Sequence, residues 1–172
     1  MINDTKLRYG IISKLLHWVM ALLVGWQFMK FGDRIADGKH WVGETLVPWH
    51  VSIGALLLAL IVLRIVWAVV QRNKRPQPEP GTRLLVKGGH GLLYAGLLLV
   101  PLSGVMYLVG RGFGLKAFDV QVIDRGDKIA WLTELGSYHS SLAWVLAALV
   151  VGHILISLVH HFVRRDGVLR RM

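Results

Sequence analysis

Residues Leu135–Val163 read LGSYHSSLAWVLAALVVGHILISLVHHFV, a run without a single Asp, Glu, Lys or Arg. A helix needs about 20 mostly apolar residues to cross a bilayer, so this stretch is long enough to span. Within it His139 and His153 stand 14 residues apart. At about 1.5 Å and 100° per residue, that spacing gives about 21 Å of rise and leaves the two side chains about 40° short of four full turns. The two imidazoles therefore share nearly one face of the helix and sit at different depths. Ionisable side chains inside a membrane helix are costly and mark function by default.

Three further runs lack acidic and basic residues: Leu15–Met29, Thr45–Leu63 and Gly88–Gly110. The first reaches spanning length if Lys14 or Lys30 snorkels to the interface. It does not read as a cleavable signal, since it has no small-residue cleavage site and carries His17, Trp18, Trp26 and Gln27. The fold class is thus all-α, an integral membrane four-helix bundle in one membrane domain, residues 1–172, with spans about 11–31, 47–70, 88–109 and 136–163. A hydrophobic share of 54% and a mean hydropathy of +0.52 agree. Pro48 suits the first turn of the second span, and Trp41 and Trp49 suit the interface. Three prolines between Arg75 and Gly81 break the chain into two helix pairs. Pro101 falls inside the third span, tolerable where neighbours satisfy the freed carbonyl. The loop Gly110–Glu134, with interleaved charges, predicts a short amphipathic piece at the surface.

The net charge of +10 raises the question of nucleic acid, and its distribution answers it. With four spans and both termini cytoplasmic, thirteen cations and three acids fall on the inner side, while the outer loops balance. The whole excess is on one side, as the positive-inside rule requires, so the charge points to topology and anionic lipid rather than to DNA or RNA. The absence of cysteine excludes disulfides, iron–sulfur clusters and covalent Cys-x-x-Cys-His haem attachment.

Depth sorts the eight histidines. His50 opens the second span and His139 the fourth, both at the outer side, so they can share one haem iron. His17 lies in the inner half of the first span, and its partner candidates are His153, His90, His160 and His161. Spacing favours His153. Pairing with His160 would put the two ligands of the fourth span 21 residues apart, about 32 Å, the whole hydrocarbon thickness. His90, beside Lys87, is expected too near the surface. Two imidazoles on one iron make a six-coordinate haem suited to electron transfer. Met20, Met29 and Met106 are competing axial ligands, but methionine in such helices usually packs. Zinc fits less well, because a structural site wants four ligands together. Gly25, Gly54 and Gly152 would let a flat macrocycle approach, or serve ordinary helix packing.

Arg64 follows His50 by 14 residues and shares its face. Two readings stand level: a partner for a haem propionate, or a snorkelling cation near the inner surface. His160 follows His153 by seven residues. It is either an interfacial histidine without chemistry or a contact that supplies a proton to a quinone.

Several pieces carry a family resemblance: Tyr9-Gly10 with Leu16-His17-Trp18, His50-Val51-Ser52-Ile53-Gly54 with Arg64, Gly89-His90 with Tyr94 and Pro101, His139, and His153 with His160-His161. In this order and across all four spans the chain resembles the bacterial diheme cytochrome b561 family. The resemblance implies a multi-pass protein of the bacterial inner membrane with two b haems, held by His17/His153 and His50/His139. It resembles in size and histidine pattern a branch that oxidises superoxide at the periplasmic face and reduces ubiquinone. Other members are b subunits of dehydrogenases or take electrons from soluble periplasmic partners. The expected function is transmembrane electron transfer from superoxide or another periplasmic donor to ubiquinone. The alternative is a redox docking module between a periplasmic protein and the quinone pool.

Overall fold

The structure is a computed structural model that describes residues 1–33, 40–78 and 80–167. Four long helices dominate: α1, Ile11–Asp33; α3, His50–Val70; α4, Arg83–Gly110; and α6, His139–Val159. Shorter elements join them: α2, Trp41–Thr45; a hairpin of β1, Leu115–Ala117, and β2, Val120–Ile123; and α5, Ala130–Ser137. Four helical stretches are long and apolar enough to cross a membrane: Ile11–Gly32, Trp41–Val70, Pro80–Gly110 and Ala130–Arg164. The first is the least apolar, with a mean hydropathy of 1.4 against 2.1 to 2.7 for the others. Leu22, Val66 and Val151 are more than half exposed on the outside of the bundle, as expected of side chains whose solvent is lipid.

Three element boundaries differ from the sequence expectation, each for a physical reason. Helix α4 begins at Arg83, five residues before the charge-free run. A 3-10 turn, Pro80–Thr82, starts it, and Arg83 and Lys87 do not break a helix that extends past the hydrocarbon. The fourth span is divided: α5 ends at Ser137, and α6 starts at His139 and closes in a π-helical turn, His160–Arg164. The loop Gly110–Glu134 forms a β-hairpin followed by α5. Phe118 and Asp119, both at positive φ, make its two-residue turn. That turn type usually carries Asn-Gly or Asp-Gly, so Phe118-Asp119 does not announce it. The expected surface location holds, with Phe118 and β2 exposed.

Helix α1 packs on α3, α3 on α4, and α4 on both α5 and α6. Among the described residues α1 and α6 meet chiefly through side chains, such as the stacked rings of Phe31 and Trp144, 4.1 Å apart. The buried core is small: Met20 and Val24 of α1 against Ile53, Leu57 and Ile61 of α3, with Leu97 of α4 and Val150 of α6 beside it. In lipid such a core gains by close packing rather than by leaving water.

The N-terminal arm is tied down. The buried carboxylate of Asp4 accepts hydrogen bonds from Gly10 N–H (2.8 Å) and Ser13 Oγ (2.6 Å), and pairs with Arg75 Nε at 2.9 Å. Gln71 Nε2 donates to Asn3 Oδ1 at 3.1 Å, and Trp67 Nε1 to Ser13 Oγ at 2.9 Å. A side chain at Gly10 would collide with the carbonyls of Ile2 and Asn3. Burial raises the pKa of the Tyr9 phenol, opposed by the charge of neighbouring Arg75.

Candidate functional site

At the hairpin end of the bundle, His50 is the first residue of α3 and His139 the first of α6. Their ring centroids lie 6.0 Å apart and their planes stand at 88°. His139 Nδ1 donates to the carbonyl of Val100 at 2.8 Å, with Ser103 Oγ at 3.3 Å. Pro101, lacking an N–H, weakens the hydrogen-bond ladder of α4 in this region. The bond to Val100 fixes the proton on Nδ1 and leaves Nε2 with a free lone pair. A Cβ on Gly104 would come within 3.1 Å of the His139 ring, so glycine makes room for that imidazole. Across from it, Gln27 Nε2 donates to the His50 carbonyl at 2.9 Å. Gln27 Oε1 and His50 Nδ1 are buried without a hydrogen-bond partner. A cavity of about 550 Å³ lies between the two rings' helices, lined by Phe28, Gly54 and Leu97 among others. That is within the range of about 300–1,000 Å³ typical of ligand sites.

At the arm end, three helices bring histidines together. His17 of α1 and His153 of α6 have centroids 6.3 Å apart at 75°. His90 of α4 is 5.7 Å from His153 at 77°. Arg64 of α3 joins them: its Nη2 donates to His17 Nδ1 at 3.1 Å, and its Nε to Tyr94 Oη at 3.3 Å. The guanidinium also lies 5.5 Å from the Tyr94 ring centre. Thus Arg64 turns inward to side chains of the bundle. His90 Nδ1 donates to the Val86 carbonyl at 2.7 Å, the same arrangement that orients His139. His17 is half-buried, whereas His90 is exposed.

The structure therefore brings together His50 with His139 and His17 with His153, and it adds His90 to the second group. His160 is apart from these, its Nδ1 bonded to the carboxylate of Asp166. His161 packs its ring edge against Phe162. A Cβ on Gly25 or Gly152 would meet nothing within 4 Å, while one on Gly54 would approach Gln27 Nε2 at 3.1 Å. Among the described residues no three His, Cys, Asp or Glu side chains converge to hold a metal ion by themselves. Sequence reasoning missed Val100 and Ser103 as partners of His139, and Gln27 as a neighbour of His50. The signals were Pro101 and an uncharged amide inside an apolar helix.

A bundle of four spanning helices with histidines facing one another at two depths is the architecture of a membrane b-type cytochrome. The chain belongs to the prokaryotic cytochrome b561 family, whose model matches residues 8–172. It is 33% identical to cytochrome b561 homolog 2 of Escherichia coli (strain K12), over 99% of this chain and 93% of that protein. It is 26% identical to a probable superoxide oxidase, CybB, of Yersinia pestis, over 96% of this chain and 95% of that protein. It is accordingly a multi-pass protein of the bacterial inner membrane, a haem-binding component of membrane electron transfer.

Proposed function

We propose that this chain carries electrons across the inner membrane between a periplasmic donor and ubiquinone, with two b-type haems as its resident groups. The observation that carries the reading is the pair of imidazole separations, 6.3 and 6.0 Å, at two depths. An imidazole nitrogen binds a metal at about 2.0–2.1 Å and sits about 1.1 Å from its ring centre, so rings 6.0 and 6.3 Å apart would leave room for one metal between them. His17 and His153 would hold one haem, and His50 and His139 the other. Bound haem supplies a one-electron carrier. The chain's own residues orient it. The Val100 carbonyl holds the His139 tautomer, as backbone carbonyls commonly do for histidines that ligate a metal. Arg64, always cationic, can only donate, so His17 Nδ1 accepts from it. Were His17 to hold a haem through Nε2, its Nδ1 would carry the proton, and Arg64 would be available to a carboxylate of that haem.

The arm end, with its excess of cations, faces the cytoplasm on this reading. On this reading His160, whose Nδ1 is bonded to the carboxylate of Asp166, would contact the quinone headgroup. Superoxide is the favoured donor on the likeness to a probable superoxide oxidase; of the cations at the other end, Lys116 is paired with Asp119, and Arg125 and Lys128 are the ones that would meet an anion. A docking role has one observation in its favour. Phe118, Val120 and Val122 of the hairpin are exposed and apolar, a surface a periplasmic partner could cover.

The test is to mix purified, haem-loaded protein with superoxide and a quinone analogue. Superoxide is expected to reduce the haem, and the quinone to reoxidise it. If superoxide leaves the haem oxidised while a co-purifying periplasmic protein reduces it, the superoxide reading is wrong and the docking reading stands.

A further inference from the structure

A second cavity, of about 760 Å³, opens at the arm end of the bundle. Three segments converge on it: the N-terminal arm with the start of α1, the end of α3 with residues 71–78, and the first three turns of α4. Two of its cations are already engaged, Arg75 by Asp4 and Arg64 by His17 and Tyr94. Four others, Lys6, Arg72, Arg83 and Lys87, line it without an ion pair among the described residues. No carboxylate among the described residues lines it either. The acids of the flanking sequence, Asp4 and Glu79, are too few to neutralise this end even if both are counted. Positive-inside topology alone requires cations near the membrane. It does not require them to converge from three segments on one cavity, where they repel one another.

The rim is as informative as the charge. Tyr9 and Trp67, residue types that favour the membrane interface, stand in the wall. Next to Arg83, Leu84 and Leu85 are 86% and 78% exposed. Neither leucine lines the cavity; they turn the adjoining faces of α4 outward, while Val86, which does line it and is 38% exposed, sets an apolar contact for an acyl chain among the cations. The two carboxylates of a haem held by His17 could take Arg64 and one neighbour, and would still leave cations unmatched.

We propose that this cavity is a binding site for the phosphate of an anionic phospholipid, such as phosphatidylglycerol, with an acyl chain leaving it past Val86 into the bilayer. Basic pockets between membrane helices are known to take such headgroups. This goes beyond the electron-transfer reading and does not depend on which donor or acceptor the protein serves.

The experiment uses the haem-loaded protein in a neutral detergent, with binding followed by native mass spectrometry and by the shift in melting temperature. Phosphatidylglycerol, phosphatidylcholine, glycerol 3-phosphate and inorganic phosphate are titrated separately. Phosphatidylglycerol is expected to bind at least about tenfold more tightly than each of the other three. Each cation near a lipid surface contributes about fivefold to affinity, so Arg83→Gln with Lys87→Gln should weaken binding about 25-fold. Arg125→Gln, in the loop at the far end, should leave it unchanged. Lys6→Gln, on the arm and outside every helix, tests the site without touching the bundle and should cost about fivefold. Equal binding of phosphatidylcholine, or no loss in Lys6→Gln, overturns the proposal. Inorganic phosphate or glycerol 3-phosphate binding as tightly as the lipid overturns it too, and would make this a site for a soluble anion.

Discussion

The two ends of this bundle are built by opposite means. At the arm end, polar groups hold the chain together: Asp4 gathers Gly10, Ser13 and Arg75, and Arg64 joins His17 to Tyr94. At the hairpin end, close backbone contact takes over. A Cβ on Gly136 would strike the backbone of Tyr107, and one on Gly110 would strike Thr133, so α5 lies directly on the end of α4. The difference shows in the histidines. His139 is fixed by a backbone carbonyl of its neighbour, whereas His17 is fixed by a mobile-type partner, a long cationic side chain. One site is oriented by the fold itself, the other by a side chain that can change partners.

The largest effect expected is on haem content, and it tests whether the two ends hold separate groups. His50→Ala or His139→Ala should remove one haem of two, and His17→Ala or His153→Ala the other, as measured by pyridine haemochrome absorbance per protein. His90→Ala should retain both. The result that would redraw the arm-end site is loss of a haem in His90→Ala with retention in His17→Ala. The tautomer of His90 makes that a real contest, and its exposure counts against it.

Next in size is Asp4→Ala. It strands the Arg75 guanidinium and leaves Ser13 and the Gly10 N–H short of an acceptor, which should cost about 3 kcal/mol of stability. Denaturation followed in detergent would measure it. A loss below about 1 kcal/mol would mean that the arm is an ornament on the bundle, and that the arm end is held by helix packing as the other end is. Gly136→Ala is the matching change at the hairpin end. The added methyl has backbone on its far side and should cost about 1–3 kcal/mol. Stability unchanged by Gly136→Ala would show that α5 is free to shift off α4.

How much of this was legible in the sequence follows the same division. The four spans and the two histidine pairs were readable, because hydropathy and helical rise are properties of single helices. The paired depths of His50 with His139 and of His17 with His153 follow from such rise. The role of Asp4 was not readable. Its partners Gly10 and Ser13 are near in sequence, but Arg75 is 71 residues away and reaches it only once α1 and α3 have packed. The nearness of His90 to His153 was not readable, because the charge-free run begins at Gly88, whereas α4 begins at Arg83 and carries His90 two turns inside the helix. The inward turn of Arg64 to His17 and Tyr94 was hidden for the same reason as Arg75, since a choice between snorkelling and pairing depends on two other helices.

The smallest effect concerns the hairpin. Lys116 Nζ lies 2.8 Å from Asp119 Oδ1, and this hydrogen bond and charge hold the Asp119 carboxyl below its usual pKa. A carboxylate whose pKa is lower in the folded chain adds stability above its unfolded pKa and loses it as pH falls through the folded value. Both side chains are largely exposed, so screening leaves the pair weak. The pair nonetheless bridges the turn at Phe118 and Asp119, where both residues carry positive φ. Acidification from neutral pH through the carboxylate range should therefore raise amide exchange in β1 and β2 slightly while the spanning helices stay protected, and Lys116→Gln should remove most of that pH dependence. If exchange rises equally in α4 and α6, acid is acting on the bundle as a whole. The hairpin would then be no separate unit, and the contrast between the two ends would rest on their packing alone.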